Sequence, residues 1–233
     1  MTRNCLRISL LLCFYSCFFR GTPATGQNPD SALLSIYQKN EGDQAAIYNG
    51  RQYLRPVYSF EKNAHVFFET DKMVRGSVIY QGLRYDSVNL IYDENSDELV
   101  TNDYNVTDLV TLFKERVTGF SILGQNFIRL GNDSGYFQVL YQGPSLVLKK
   151  EIKKIVEKPD VPRTLYFIEV IPSYYFSRNG SYQKISGKES LLKVFGDRRK
   201  EVNAFMKANK VKFKKNREDA ILRSVAYYDQ LTR

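Results

Sequence analysis

The stretch RGSVIYQGLRYDSVNLIYDENSDELV, from Arg75 to Val100, decides the predicted fold. Apolar and polar residues alternate between Tyr85 and Tyr92, which is typical of a strand with one buried face. Gln81-Gly82 provides the positive φ that a tight turn needs, so Val78–Tyr80 is expected to pair with this strand. The polar run Asp93–Asp97 predicts a second turn into a third strand. We therefore predict a three-stranded antiparallel meander.

Turn signals divide most of the remaining chain into further strands. Asn49-Gly50 is predicted to join residues 47–48 and 52–54 as a hairpin, because both turn residues tolerate positive φ. Other strands are predicted within 110–130 and at 136–141, 146–156, 165–171, 174–176 and 182–185. About ten strands suffice for a sandwich or a closed barrel. The expected class is mainly β, an antiparallel sandwich or barrel followed by two to three C-terminal helices, hence α+β.

The C-terminal residues change to a helical period. A short helix is predicted at 188–195, ending at Gly196. Asp197 is predicted to cap a second helix at 198–208, and Asn216 a third at 217–231. Between them, Lys210–Lys214 alternates between basic and apolar residues like an extended segment.

The first 26 residues have the layout of a secretory signal peptide. Arg3 and Arg7 precede the twelve-residue apolar run Ile8–Phe19, and the small residues Ala24-Thr25-Gly26 precede the expected cleavage point. A membrane anchor is the alternative, but twelve residues are too few to span a bilayer. A lipoprotein signal at Cys17 is a second alternative, which the preceding residues disfavour. We expect an exported protein, in the periplasm or associated with the outer membrane, without lipidation.

The predicted division of the chain follows from these segments. Residues 1–26 are the signal peptide, 27–40 an N-terminal segment with a short helix, 41–187 the antiparallel β domain, and 188–233 a basic helical segment packed on it. The three cysteines of the sequence, Cys5, Cys13 and Cys17, all lie in the signal peptide. A mature chain without thiols excludes disulfides, cysteine metal sites and cysteine nucleophiles.

Charge is distributed unevenly along the chain. Residues 27–145 contain 10 Lys and Arg against 15 Asp and Glu, whereas residues 146–233 contain 21 against 10. Only the second part therefore suggests an anionic partner. The predicted interaction surface comprises Arg198, Arg199, Lys200, Lys210, Lys212, Lys214, Lys215 and Arg217. Envelope protein and anionic lipid or lipopolysaccharide are the partners considered, and nucleic acid is not expected because no binding module is recognisable.

Recognisable catalytic and cofactor motifs are lacking. His65 is the single histidine of the sequence, no triad or zinc motif surrounds it, and there is no phosphate-loop or dinucleotide glycine pattern. No catalytic residue and no cofactor are therefore assigned. Asp93, Asn95 and Asp97 match the first half of a calcium loop, but the sixth and twelfth positions are Glu98 and Tyr104 instead of Gly and Glu. A solvated turn is the favoured interpretation there.

Two long motifs resemble an uncharacterised family of exported proteins in Bacteroidota. The first is G-x-V-x-Y-x-G-x-x-Y-x-x-V-x-L-x-Y-D, at Gly76–Asp93, and the second is the tail from Lys188 to Lys215. The resemblance implies a Gram-negative envelope location. It implies no activity and no functional residues for this chain.

Three functions remain open from the sequence. The first is a non-enzymatic binding or structural module of the envelope with a basic C-terminal surface. The alternative is a carrier of an apolar or lipid-like ligand in a barrel-like β domain, since barrel mouths often hold ligands. A carboxylate-dependent hydrolase is the distant third, because many acidic residues are present and sequence does not show which converge.

Overall fold

A computed structural model describes residues 46–61, 63–105, 107–131, 134–158 and 164–233. The strands are β1 Arg51–Gln52, β2 Val74–Tyr80, β3 Leu83–Asp93, β4 Glu98–Asn102, β5 Leu109–Thr111, β6 Val117–Ile122, β7 Gln125–Arg129, β8 Tyr136–Gln142, β9 Leu146–Lys158, β10 Leu165–Arg178 and β11 Ser181–Ile185. The helices are α1 Lys188–Val194, α2 Arg199–Ala208 and α3 Arg217–Leu231. The strands form one antiparallel sheet in the order β1-β5-β4-β3-β2-β6-β7-β8-β9-β10-β11. The predicted mainly antiparallel α+β class is confirmed. The closed barrel considered from the sequence is not formed, because the strands make one open sheet with β1 and β11 at its edges.

The predicted meander is present as β2, β3 and β4. Gln81 and Gly82 turn between β2 and β3 with φ of 53° and 79°. At the end of β3 the predicted alternation is lost, since Leu90, Ile91 and Tyr92 are all buried. The reason is that this end of the strand packs on both faces: Leu90 and Tyr92 join one apolar cluster and Ile91 joins another.

The hairpin predicted at Asn49-Gly50 is wrong. Residues Ala46–Tyr48 form a 3-10 turn, and β1 pairs with β5 instead. Gly50 allows the backbone before β1 to lie close to β5 and does not serve a hairpin turn. A Cβ at this position would lie 2.2 Å from the carbonyl oxygen of Thr111.

The pairing of β2 with β6, which we call the seam, joins two groups of strands that follow one another in the chain. On one side β2, β3, β4 and β5 are neighbours in chain order, and on the other side β6 to β11 are. β2 and β6 pair along the seam, where the hydroxyls of Ser77 and Ser121 lie 3.0 Å apart. Gly76 allows the two strands to approach, since a Cβ there would lie 2.3 Å from the Ser121 carbonyl oxygen.

The sheet curls strongly around an aromatic core. The rings of Tyr92 on β3 and Tyr136 on β8 have centroids 5.7 Å apart, although four strand intervals separate them in the sheet. In a flat sheet four intervals of roughly 4.8 Å would hold the strands about 19 Å apart. Phe120 and Phe127 stack at 4.6 Å between them. Aromatic rings thus fill the concave side of this part of the sheet.

The three helices cover the other end of the sheet. Their shared core contains Val147, Phe176 and Ile185 from the strands and Leu191, Val202, Met206, Ile221 and Val225 from the helices. Asn216 caps α3 as predicted, because its side-chain oxygen accepts from the Asp219 amide at 3.1 Å. The prediction that Asp197 caps α2 is wrong. Gly196–Arg198 forms a 3-10 turn, and α2 begins at Arg199 without a side-chain cap.

The signal peptide, its cysteines and the N-terminal segment 27–40 lie outside the described residues. Within the described ranges, no helix combines the length and apolar character needed to cross a membrane.

Candidate anion-binding groove

A groove of about 840 Å³ lies between the start of α1 and the connection from α2 to α3. It is lined by Ser186, Gly187, Lys188, Val211, Lys212, Phe213, Lys214 and Arg217. Four of these residues are cationic and none is acidic. We call this site the basic groove.

The α2–α3 connection builds one wall of the groove. The prediction of an extended segment at Lys210–Lys214 is wrong, because the connection folds into turns. The Val211 amide donates to the Met206 carbonyl oxygen at 2.9 Å, and the Lys215 amide donates to the Lys212 carbonyl oxygen at 3.0 Å. Val211 and Phe213 are half-buried against the helical core, while Lys212 and Lys214 are exposed. The alternating sequence therefore places apolar and cationic side chains side by side in the groove.

Arg217 is held in a fixed position at the start of α3. Its guanidinium carbon lies 5.5 Å from the ring centroid of Phe213 and 5.9 Å from that of Tyr174. The guanidinium also donates to the carbonyl oxygen of Ser186. A guanidinium has five N–H donors, so donors remain for a ligand after this contact. Arg217 is thus a preorganised cation.

The lysines of the groove are not neutralised by the protein. Within the described part of the chain, the side chains of Lys188, Lys212 and Lys214 form no ion pair. Glu218 follows Arg217 in sequence but lies 3.7 Å from Lys149, and it accepts from the Tyr174 hydroxyl at 3.3 Å. Burial, and then the nearby Glu218, raise the pKa of Tyr174, so its hydroxyl stays neutral beside Arg217. The groove therefore has an excess of positive charge.

The backbone amides of Ser186 and Gly187, two residues of the lining, are already used within the protein. The amides of Ser186 and Gly187 both donate to the Ser190 hydroxyl at 2.9 Å. The positive charge of the groove comes from the side chains of its four cationic residues.

The structure gathers only part of the predicted interaction surface. Lys212, Lys214 and Arg217 line the groove, whereas Lys200, Lys210 and Lys215 are exposed outside it. Arg198 pairs with Glu201 at 3.0 Å, and Arg199 pairs with Glu189 at 2.5 Å. Lys188, which the sequence analysis missed, completes the groove. No local pattern connects it with Lys212, because they lie 24 residues apart in the chain.

The candidate calcium residues are engaged with protein donors. Asp93 is 1% exposed, and it accepts from the Tyr53 hydroxyl at 2.6 Å and from two backbone amides of its own turn. Asp97 pairs with Lys114 at 3.0 Å and Lys150 at 3.3 Å, and the side-chain amide of Asn95 donates to the Lys153 carbonyl. Among the described residues, no group of three His, Cys, Asp or Glu side chains has an arrangement suited to a metal. The prediction of a solvated turn is wrong for Asp93, because this residue is buried.

The same turn carries a buried ion pair that the sequence did not predict. Glu94 is 3% exposed, and its Oε2 lies 3.1 Å from Nζ of Lys153 on β9. Burial raises the pKa of Glu94 to about 7, although Lys153 opposes this shift. Nζ of Lys153 also donates to the Phe67 carbonyl, and the Lys153 amide donates to the Glu94 carbonyl at 3.2 Å. These contacts hold the β3–β4 turn against β9, so we assign the pair a structural role.

Comparisons with family models, curated proteins and solved structures find no match to this chain. The functional argument therefore rests on the residues of the groove.

Proposed function

We propose that the protein is a non-enzymatic binding module that holds an anionic partner in the basic groove. One observation carries the proposal: Lys188, Lys212 and Lys214 surround a groove without a lining carboxylate, and Arg217 is already held in place beside them. Positive charges gathered without counter-charges repel one another, and an anionic ligand removes that cost.

We also propose that the protein works in a Gram-negative envelope after export. The support is the signal-peptide pattern of residues 1–26 and the resemblance of Gly76–Asp93 and Lys188–Lys215 to exported Bacteroidota proteins. Anionic lipids and lipopolysaccharide are abundant ligands for a basic groove in that location.

The two other functions have less support. A carrier needs a hollow β domain, whereas Tyr92, Phe120, Phe127 and Tyr136 pack their rings on the concave side of the sheet. A hydrolase needs paired carboxylates that reach a substrate. The buried Asp93 and Glu94 instead contact donors of the protein.

The test compares two double variants with the same change in net charge. Lys212→Gln with Lys214→Gln removes two groove cations, and Lys200→Gln with Lys207→Gln removes two exposed cations of α2 outside the groove. The probe is inorganic pyrophosphate, titrated into each protein while backbone amide NMR shifts are followed. We expect the groove variant to raise the dissociation constant about tenfold, as expected for lost charge-assisted hydrogen bonds. The α2 variant should change it less than about twofold, because distant exposed charges are screened.

Equal weakening in both variants would contradict the assignment, since the probe would then sense only net charge. Amide shifts centred on α2 instead of the 186–188 and 211–217 segments would also contradict it.

A further inference from the structure

The basic groove is larger than a simple anion requires. Its volume of about 840 Å³ falls within the range of roughly 300–1,000 Å³ that is common for small-molecule sites. An inorganic phosphate bound to the cations would leave most of this space filled with water. The size of the groove therefore favours a ligand that extends beyond its charged group.

Part of the lining is apolar. Val211 and Phe213 line the groove between the lysines, and each is only half-buried by the helical core. Removing such a surface from water is favourable in proportion to its apolar area. A purely polar anion does not gain this energy, whereas a ligand with a hydrocarbon portion does.

The cationic part of the lining suits a phosphate head group. Arg217 presents a planar fork of donors and is held by two rings, while Lys188, Lys212 and Lys214 act as mobile point charges. Several cations around one space match a group that carries more than one negative charge and has several acceptor oxygens. A phosphate monoester has both properties.

Alternative anionic partners fit these residues less well. Single-stranded nucleic acid uses exposed aromatic faces for base stacking, but Phe213 is half-buried and its ring is in contact with the Arg217 guanidinium. An acidic peptide has only one negative charge on each carboxylate, whereas a phosphate monoester concentrates close to two charges and several acceptor oxygens on one group.

We infer that the basic groove binds an amphiphile with a phosphate head group and an alkyl chain, as a single molecule. This inference rests on the proposed function, because it specifies the ligand of the same groove. The head group contacts Arg217 and the three lysines, and the first part of the chain lies against Val211 and Phe213.

The experiment measures the affinity of residues 27–233, the mature chain expected from the signal-peptide pattern, for a series of ligands by isothermal titration calorimetry. The ligands are inorganic phosphate and the octyl, decyl and dodecyl phosphates, each below its micelle concentration. Each methylene that becomes buried should tighten binding about fourfold. The gain should stop when the chain extends beyond the groove. Dodecyl maltoside has the same chain without the charge, and should bind at least about tenfold more weakly than dodecyl phosphate.

The variant Lys212→Gln with Lys214→Gln should weaken binding of every alkyl phosphate and leave binding of dodecyl maltoside unchanged. Lys200→Gln with Lys207→Gln is the matched control, and should have little effect on either ligand. These substitutions lie at exposed positions, so folding is not at risk.

The outcomes separate this inference from the proposed function. Affinity that is independent of chain length would overturn the amphiphile and leave a groove for simple anions. Dodecyl maltoside binding as tightly as dodecyl phosphate would overturn the role of the phosphate head group. If neither phosphate, pyrophosphate nor any alkyl phosphate binds, both proposals fail.

Discussion

The hydroxyl of Ser145, in the turn between β8 and β9, donates to the carboxylate of Asp229 on α3 at 2.6 Å. The Ser145 amide and the Tyr141 hydroxyl donate to the same carboxylate at 3.0 Å. Asp229 is 1% exposed and Ser145 is fully buried. A buried carboxylate with three donors from the sheet therefore fixes the last helix, whose first residue is Arg217 of the groove.

Asp229→Ala should lower the free energy of unfolding by about 3 kcal/mol, because it leaves buried donors without an acceptor. Urea unfolding followed by circular dichroism measures this change. Gln230→Ala is the control at an exposed neighbouring position of α3, where we expect less than about 0.5 kcal/mol. Similar losses in the two variants would show that the carboxylate does not fix the helix.

Gly135→Ala should destabilise the protein at least twice as much as Gly82→Ala. Both glycines have positive φ, 73° and 79°, so each alanine has the same backbone cost of about 1 kcal/mol. A Cβ at Gly82 meets nothing within 4 Å, whereas one at Gly135 would lie 1.8 Å from Oδ2 of Asp97. Asp97 is held by Lys114 and Lys150 and must be displaced. Equal melting temperatures of the two variants would contradict this packing.

Glu94→Gln should change the pH dependence of stability. The pKa of Glu94 is raised from 4.5 to about 7 in the folded protein, so the folded state binds the extra proton more tightly than the unfolded state. The wild type therefore loses stability from this group as the pH rises from 4.5 to 7, by about 3 kcal/mol at most. The glutamine does not titrate. Unfolding at several pH values should show the variant gaining stability relative to wild type over this window.

A difference between these two proteins that stays constant with pH would exclude the raised pKa. A difference that changes in the opposite direction below pH 4.5 would mean that Lys153 dominates over burial and holds the pKa of Glu94 below 4.5 instead.

Calcium should not stabilise the β3–β4 turn. Asp93 and Asp97 already use their carboxylates as hydrogen-bond acceptors and ion-pair partners, so binding a cation would require these contacts to break. We expect the same melting temperature in millimolar calcium chloride and in EDTA. A rise with calcium that disappears in Asp97→Asn would restore the calcium-loop hypothesis.

Local patterns predicted the local features of this fold. The Gln81-Gly82 turn and the Asn216 cap follow from residues within one turn of themselves, and both are confirmed. The sequence around Gly50 is compatible with a turn or with close packing of two backbone segments, and only the position of Thr111 decides between them. The Glu94–Lys153 pair joins residues 59 positions apart, and its existence depends on the curl of the sheet.

Three of the four cationic residues of the groove, Lys212, Lys214 and Arg217, belong to the surface predicted from the charge excess of the second half, and Lys188 does not. Arg198 and Arg199 belong to the predicted surface. Arg198 pairs with Glu201 and Arg199 with Glu189, so their charges are partly neutralised within the protein. Only the first of these pairs has helical spacing that a sequence could suggest. Lys188 reaches the groove because α1 packs beside the α2–α3 connection.

The seam between β2 and β6 also determines how the chain can be divided. A cut in the connection at 112–116 leaves β1 to β5 in one fragment and β6 to β11 with the helices in the other. Every other pairing between the named strands then stays within one polypeptide, and only the isolated bridge between Phe60 and Tyr166 crosses the cut among the described bridges. The basic groove lies entirely in the second fragment. The protein is thus suited to fragment complementation, in which two separate pieces reassemble along the edge that Gly76 and Ser121 share.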